Sequence, residues 1–281
     1  MLAGCTSDAP VVAEPASPAM WQVQDGDTRI ILIGTVHQLP AQVRWQRGKV
    51  SAAIADADEL WLELAPSDLP AIPATFARIS VDEPVPTLDQ RIGAERARIA
   101  RDYAADAGID RDDVDRMESW ALSFAVGTVI AADAGLSSDN GVETRLTNAF
   151  VAAHKPVRGL EAASAQLALF DDLPDGLQNQ MLGKSISDAP TAREHIYDLV
   201  RQWARGDVDA IARKAAQDLA ETPGLIEPLV TRRNAAWVAQ LIDRMDRPGT
   251  ILVAVGTGHL VGDASVISQL RRHGLSVTRI Q

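Results

Sequence analysis

Two short segments near opposite ends of the chain share one layout, and their match constrains the fold more than any other feature of the sequence. Ile31-Leu32-Ile33-Gly34-Thr35-Val36-His37-Gln38-Leu39 and Val253-Ala254-Val255-Gly256-Thr257-Gly258-His259-Leu260 each run from an apolar stretch through glycine and threonine to a histidine and a leucine. The apolar stretches predict buried strands, and the glycines predict sharp turns from which each imidazole projects. A chain that carries this unit twice is expected to have two related halves with a site between them. A histidine after a strand is usually a plain loop residue. The chain has only five histidines, however, and two in the same G-x-x-H context favour a joint function.

The remaining pattern supplies the elements around these turns. Strands are predicted over 28–34, 59–64, 157–160, 250–255 and 275–280, and helices over 42–55, 143–154 and 263–273. The stretches 88–134 and 162–246 are mostly helical, the second expected to break at Pro174, Pro190, Pro223 and Pro228. Strands alternating with helices predict an α/β fold with a mixed, mainly parallel central sheet flanked by helices. The surplus of helices predicts an insertion or cap around 84–150 within a single domain over 21–281. In strand 59–64, Leu60, Leu62 and Leu64 share one face, which puts Trp61 and Glu63 on the other.

A formal charge of -11 argues against nucleic acid or anionic lipid as partners, since both need clustered Lys and Arg. The single cysteine, Cys5, excludes an intrachain disulfide and a thiolate zinc site. Leu2-Ala3-Gly4-Cys5 resembles the lipobox of bacterial lipoproteins, and the Ala-, Pro- and Ser-rich residues after it suit a flexible tether, so 1–20 is read as a lipid-anchoring lead. The charged and apolar parts of a signal peptide do not precede it. Membrane attachment, if present, is expected only through that lipid, in the bacterial cell envelope.

In open α/β sheets ligands bind at the carboxyl ends of the strands. His37, Glu63, Glu161 and His259 are all expected there. Two imidazoles and two carboxylates on one crest could hold a divalent metal and leave room for a water. Without a metal they could run acid–base hydrolysis. Glu63 among apolar neighbours could instead form a buried ion pair with an arginine. Glu143 could belong to a helix cap opened by Asn140, or to the chemistry. Arg232, Arg233 and Asn234 open a helix, where an arginine could clamp a substrate or pair with Glu63 or Glu161. Gly256-x-Gly258-x-x-x-Gly262 looks like a dinucleotide fingerprint, but too little chain follows it for the necessary βαβ unit.

Taken in order, Trp21, the first G-x-x-H, Leu62-Glu63-Leu64, Gly141-Val142-Glu143, Gly159-Leu160-Glu161 with Gln166, Trp203 with Gly206-Asp207, Arg233-Asn234 with Trp237 and the second G-x-x-H resemble the TraB/GumN family. The resemblance implies a fold shared with erythromycin esterases and the haem-binding lipoprotein ChaN. It also implies kinship with the TIKI metal-dependent proteases. His37 and His259 carry over as the central pair, with Glu63, Glu143 and Arg233 as partners. The expectation is therefore a metal-dependent hydrolase of the envelope, a peptidase, using manganese, cobalt or zinc. Its rivals are a metal-free esterase-like hydrolase acting on a small molecule, and a non-catalytic lipoprotein that binds haem or a metabolite.

Overall fold

A computed structural model of the chain describes residues 15–81 and 85–281. Cys5 and the lipobox-like stretch lie outside the described residues. Packed structure begins before Trp21: Ala16 is buried, its N–H donates to the Arg44 carbonyl at 3.0 Å, and the Ser17 N–H donates to Ala204 at 2.7 Å.

The first half of the chain supplies β1 (Met20–Gln24), β2 (Thr28–Thr35), α1 (Lys49–Asp56), β3 (Glu59–Leu64), α2 (Ile72–Ile79), α3 (Leu88–Ile92), α4 (Ala94–Asp106), α5 (Arg111–Val114) and α6 (Ser119–Asp133). The second half supplies α7 (Val142–Ala152), β4 (Val157–Glu161), α8 (Ala163–Asp171), α9 (Asp175–Arg205), α10 (Val208–Glu221), α11 (Arg232–Met245), β5 (Gly249–Gly256), α12 (Val266–Arg272) and β6 (Val277–Arg279). The strands form one sheet in the order β4-β3-β5-β2-β1-β6. Neighbours from β4 to β2 are parallel, and β1 runs antiparallel to both β2 and β6. The sheet is mixed and mainly parallel, with helices on both faces, as the pattern predicts.

Alternation along the strands divides the core in two. Ile31, Ile33, Leu60, Leu62, Leu252 and Ala254 face Val50 of α1, Leu146 and Phe150 of α7, and Trp203 of α9. Ile30, Leu32, Trp61, Ile251, Val253 and Val255 face Trp237 and Leu241 of α11 and Ile267 and Leu270 of α12. A third core, away from the sheet, joins α3, α4, α6 and the first half of α9 through residues such as Leu88, Ala100, Trp120 and Leu182.

Several expectations give way to packing. The helix expected over 42–55 starts only at Lys49, because Gly48 takes φ 55° and Trp45 is buried just before it. Pro190 does not break α9, which runs through it; its position is exposed, and the buried Leu182 and Ile186 before it and Val200 after it hold the helix together. Strand β1 was not foreseen.

The two motif strands are direct neighbours. β2 and β5 pair in parallel from Thr28 opposite Gly249 to Thr35 opposite Gly256. Neither Gly34 nor Gly256 takes a positive φ, so the backbone conformation at these positions does not itself require glycine. They allow close approach instead: a Cβ on Gly34 would lie 2.6 Å from Thr257 Oγ1, and one on Gly256 would lie 3.2 Å from Glu63 Oε1. Gly34→Ala is therefore expected to lower stability by about 1–3 kcal/mol through overpacking. Gly127→Ala, in an exposed helical position with nothing within 4 Å of its Cβ, is expected to raise it by ~0.5–1 kcal/mol. Urea denaturation of the two variants checks the contrast.

Candidate functional site

Four of the expected residues meet at the carboxyl ends of β3, β4 and β5 and the start of α11, with Arg233 at their centre. Its Nη2 donates to Glu63 Oε2 at 2.6 Å and to Glu161 Oε1 at 2.5 Å. Its Nε donates to both Glu161 oxygens at 3.2 Å. Its Nη1 donates to the Leu229 carbonyl at 3.2 Å and to His259 Nε2 at 3.1 Å. A guanidinium has five N–H groups, and these contacts use all of them. The Leu229 carbonyl belongs to a π-helical turn, Glu227–Thr231, that leads straight into α11; a widened turn leaves carbonyls free for such a side chain. Glu63, Glu161 and Arg233 have side chains only 10%, 14% and 11% exposed, so this ion cluster is substantially desolvated. Of the two readings left open for Arg233, pairing is the observed one.

The contacts of His259 fix its tautomer. Arg233 can only donate, so Nε2 accepts and the ring proton sits on Nδ1, which donates to Asn234 Oδ1 at 2.7 Å. Asn234 is oriented in turn by its Nδ2 donating to the Ala264 carbonyl at 2.8 Å. Burial, helped by the nearby Arg233 charge, pushes the His259 pKa down to about 4. Burial also pushes Glu63 upward, but the Arg233 charge and the Gly256 N–H, 2.7 Å from Glu63 Oε1, hold its carboxyl below the usual range.

His37 has the opposite environment. Its Nδ1 lies 2.6 Å from Glu143 Oε1, which also accepts from Thr35 Oγ1 at 2.5 Å. The Glu143 hydrogen bond raises the His37 pKa to about 9, against the opposing effect of burial. Its side chain is nevertheless 71% exposed, so solvent moderates the pairing. Glu143 is not part of an Asn140 cap: Gly141 begins α7 without a side-chain cap, and Asn140 Oδ1 accepts from Arg145. Gly141 lets the start of α7 close on the His37 backbone, since a Cβ there would fall 2.0 Å from the His37 carbonyl oxygen.

The crest thus holds two units, a Glu63–Glu161–Arg233–His259 cluster and a His37–Glu143 pair. Both line one cavity of about 310 Å³, which His37, Glu63, Glu143 and Gln166 share with Leu62, Leu64 and Leu69. Asn234, Thr35 and Gln166 position the expected residues without having been singled out as site residues. Gln166 bridges Glu161 at 2.9 Å and Glu63 at 3.3 Å. Trp203 Nε1 donates to the Gly34 carbonyl at 2.8 Å and anchors the first motif from the far end of α9. Asn234 had a readable signal, its place directly after Arg233.

The expected metal ligands His37, Glu63, Glu161 and His259 do not fit a metal ion as they stand. Glu63, Glu161 and His259 turn their donor atoms onto Arg233, whose positive charge fills the position a cation would take. Among the described residues no group of three or more His, Cys, Asp and Glu is arranged to hold one. No helix among them is long and apolar enough to cross a membrane.

Comparison with known proteins adds a family. The model of the TraB/PrgY/gumN family matches residues 19–279. Over 264 residues the chain is 27% identical to the uncharacterised protein YbaP of Escherichia coli (strain K12), covering 90% of this chain and 92% of the relative. An uncharacterised protein of Treponema pallidum (strain Nichols) is 22% identical over 279 residues, covering 91% and 80% respectively. No solved structure is significantly similar.

The two histidines are expected to titrate on opposite sides of neutrality. Imidazole ¹⁵N resonances should show His259 neutral with its proton on Nδ1 down to about pH 4, and His37 charged up to about pH 9. The stability consequences have opposite signs. The His37 contribution is full below the ordinary value of 6.5 and is lost as pH rises through about 9. The His259 contribution is full above 6.5 and is lost as pH falls toward about 4. Urea titrations of wild type, His37→Gln and His259→Asn across pH check both slopes.

Proposed function

We propose, for a chain that belongs to the TraB/PrgY/gumN family, that the crest is the active site of a hydrolase cleaving a carbonyl-linked bond, amide or ester, with His37 as its base. The observation that carries this reading is the Thr35–Glu143–His37 string. The carboxylate fixes Nδ1, and the exposed ring lines the cavities on either side of it. A carboxylate-oriented imidazole at a pocket is the arrangement that general-base hydrolysis needs.

In this reading neutral His37 takes a proton on Nε2 from a water as the water oxygen attacks the substrate carbonyl carbon. The imidazolium then returns that proton to the departing nitrogen or oxygen as the bond to carbon breaks. Glu143 stays ionised throughout, holding the Nδ1 proton and stabilising the cation. Arg233 is a positioning residue: with every N–H committed, it fixes Glu63, Glu161 and His259 and does not reach substrate. The metal-dependent peptidase expected from the sequence has less support, because its ligand set is turned onto Arg233.

Because His37 is protonated below about pH 9, its base form, and with it kcat/KM, should rise roughly tenfold per pH unit toward that value. His37→Ala should lose at least ~100-fold. Glu143→Gln should lower activity and move the rise to lower pH, since the carboxylate that elevates the His37 pKa is gone. Hydrolysis of p-nitrophenyl esters and of a mixed peptide pool, followed across pH, measures all three. Activity abolished by a chelator and restored by manganese, cobalt or zinc would contradict the metal-free reading.

A further inference from the structure

One arginine outside the crest carries a charge that the fold does not answer. Arg91 of α3 is half-buried, and its Nη1 donates to the Met117 carbonyl at 2.6 Å and to Ser119 Oγ at 3.2 Å. Its Nη2 donates to the Asp115 carbonyl at 3.3 Å, and its Nε is buried with no partner. All three acceptors are neutral. Burial pulls the Arg91 pKa down, and Asp115, Glu118 and Asp175 oppose this only from beyond ion-pair range. Two of these carboxylates are engaged elsewhere: Asp115 Oδ1 accepts from Arg101 at 3.0 Å, and Glu118 Oε2 accepts from Gln178 at 2.9 Å. A desolvated guanidinium without a paired anion carries a free-energy cost that a bound anion relieves.

Arg91 stands on the wall of a cavity of about 600 Å³ between α3, α4, α9 and the end of α10, which no crest residue lines. Arg96 of α4 stands on the same wall, exposed and without a hydrogen bond or ion pair among the described residues. Gly183 of α9 leaves it room, since a Cβ there would lie 3.8 Å from Arg96 Nη1. The other charges on these walls are closed on one another: Lys184 bonds Glu221 and its Nζ lies 2.9 Å from Asp188. That triad is negative by one charge and the arginines are positive by two. The walls therefore keep a net positive charge in a chain of net charge -11. A neutral donor adds to them. Asn179 Oδ1 accepts from Ser119 Oγ at 2.6 Å, which leaves the Asn179 Nδ2 uncommitted among the described residues.

We propose that this cavity binds a small organic oxyanion, a carboxylate or phosphate group answered by Arg91 and Arg96, with the Asn179 amide as a neutral donor. Guanidinium N–H groups meet the oxygens of either group in pairs and are more weakly hydrated than an ammonium. The volume exceeds that of a head group and falls in the range of sites that enclose a whole small molecule, so the anion is carried on an organic body. The site stands apart from the hydrolase reading and does not depend on it.

Titration calorimetry of the whole chain at fixed ionic strength tests this, with inorganic phosphate and succinate as probes and chloride as the reference salt. At least one probe should bind saturably in the millimolar range. Arg96→Gln, which removes an exposed side chain with no protein partner, should weaken that binding about tenfold or more. Arg91→Gln should do the same. Ser187→Trp keeps every charge and should weaken binding by filling the space. Arg98→Gln, also on α4 but paired with Asp102 away from the cavity, should leave it unchanged. Preference for phosphate identifies a phosphorylated ligand, and preference for succinate a carboxylate. If Arg91→Gln does not fold, Arg96→Gln and Ser187→Trp decide alone. No saturable binding of either probe, undiminished affinity in folded Arg96→Gln or Ser187→Trp, or an equal loss in Arg98→Gln overturns the proposal.

Discussion

The bonding of one guanidinium organises the crest. Arg233 holds Glu63 from β3, Glu161 from β4 and His259 from the turn after β5, so three strand ends and the start of α11 are tied at a single point. Buried ion pairs are weak contributors to net stability but costly to break, because a lone charge is then left without water or partner. That asymmetry makes the cluster a register device. With Arg233 in place, β3, β4 and β5 must end at the same level. The same cluster explains why a glutamate is tolerated in a strand whose other residues are apolar.

The second organising fact is that β2 and β5 are parallel neighbours. Parallel strands end on one edge of a sheet, so the chain's first and last motifs are brought side by side there. Gly34 and Gly141 then let Thr257 and α7 come close enough to complete the edge. On it, identical residue types acquire opposite character. His259 packs 4.6 Å from the Trp237 ring beneath the Arg233 charge and stays neutral. His37 stands in the open against a carboxylate and holds its proton. Pairs of titratable groups pushed apart in this way mark acid–base sites.

Much of this was legible in the sequence where a residue contradicted its surroundings. Glu63 interrupts a leucine-rich strand, Arg233 opens an otherwise ordinary helix, and the two histidines repeat a context, so all four could be singled out. Glu161 followed from its strand end. Glu143 could not be decided, because Asn140-Gly141-Val142-Glu143 suits a helix cap as well as a site. Only tertiary placement turns its carboxylate to His37. Strand order was not legible either, since nothing in β2 or β5 encodes its neighbour. Helix ends failed where a single backbone angle decided them, as at Gly48, and Pro190 misled because the packed stripe on either side of it outweighs one missing hydrogen bond. The metal expectation meets no arranged ligand set among the described residues, for a physical reason: residue types alone do not say whether two carboxylates and an imidazole surround an ion or an arginine.

The central claim is that Arg233 and Glu63 hold the crest together as a desolvated pair. A double-mutant cycle measures it most directly, with urea denaturation of Glu63→Met, Arg233→Met and the double variant at neutral pH. Each single change is expected to cost about 3–5 kcal/mol, and the double variant less than their sum by ~1–3 kcal/mol. Costs that add to within about 0.5 kcal/mol would show two independent residues, and would contradict the account.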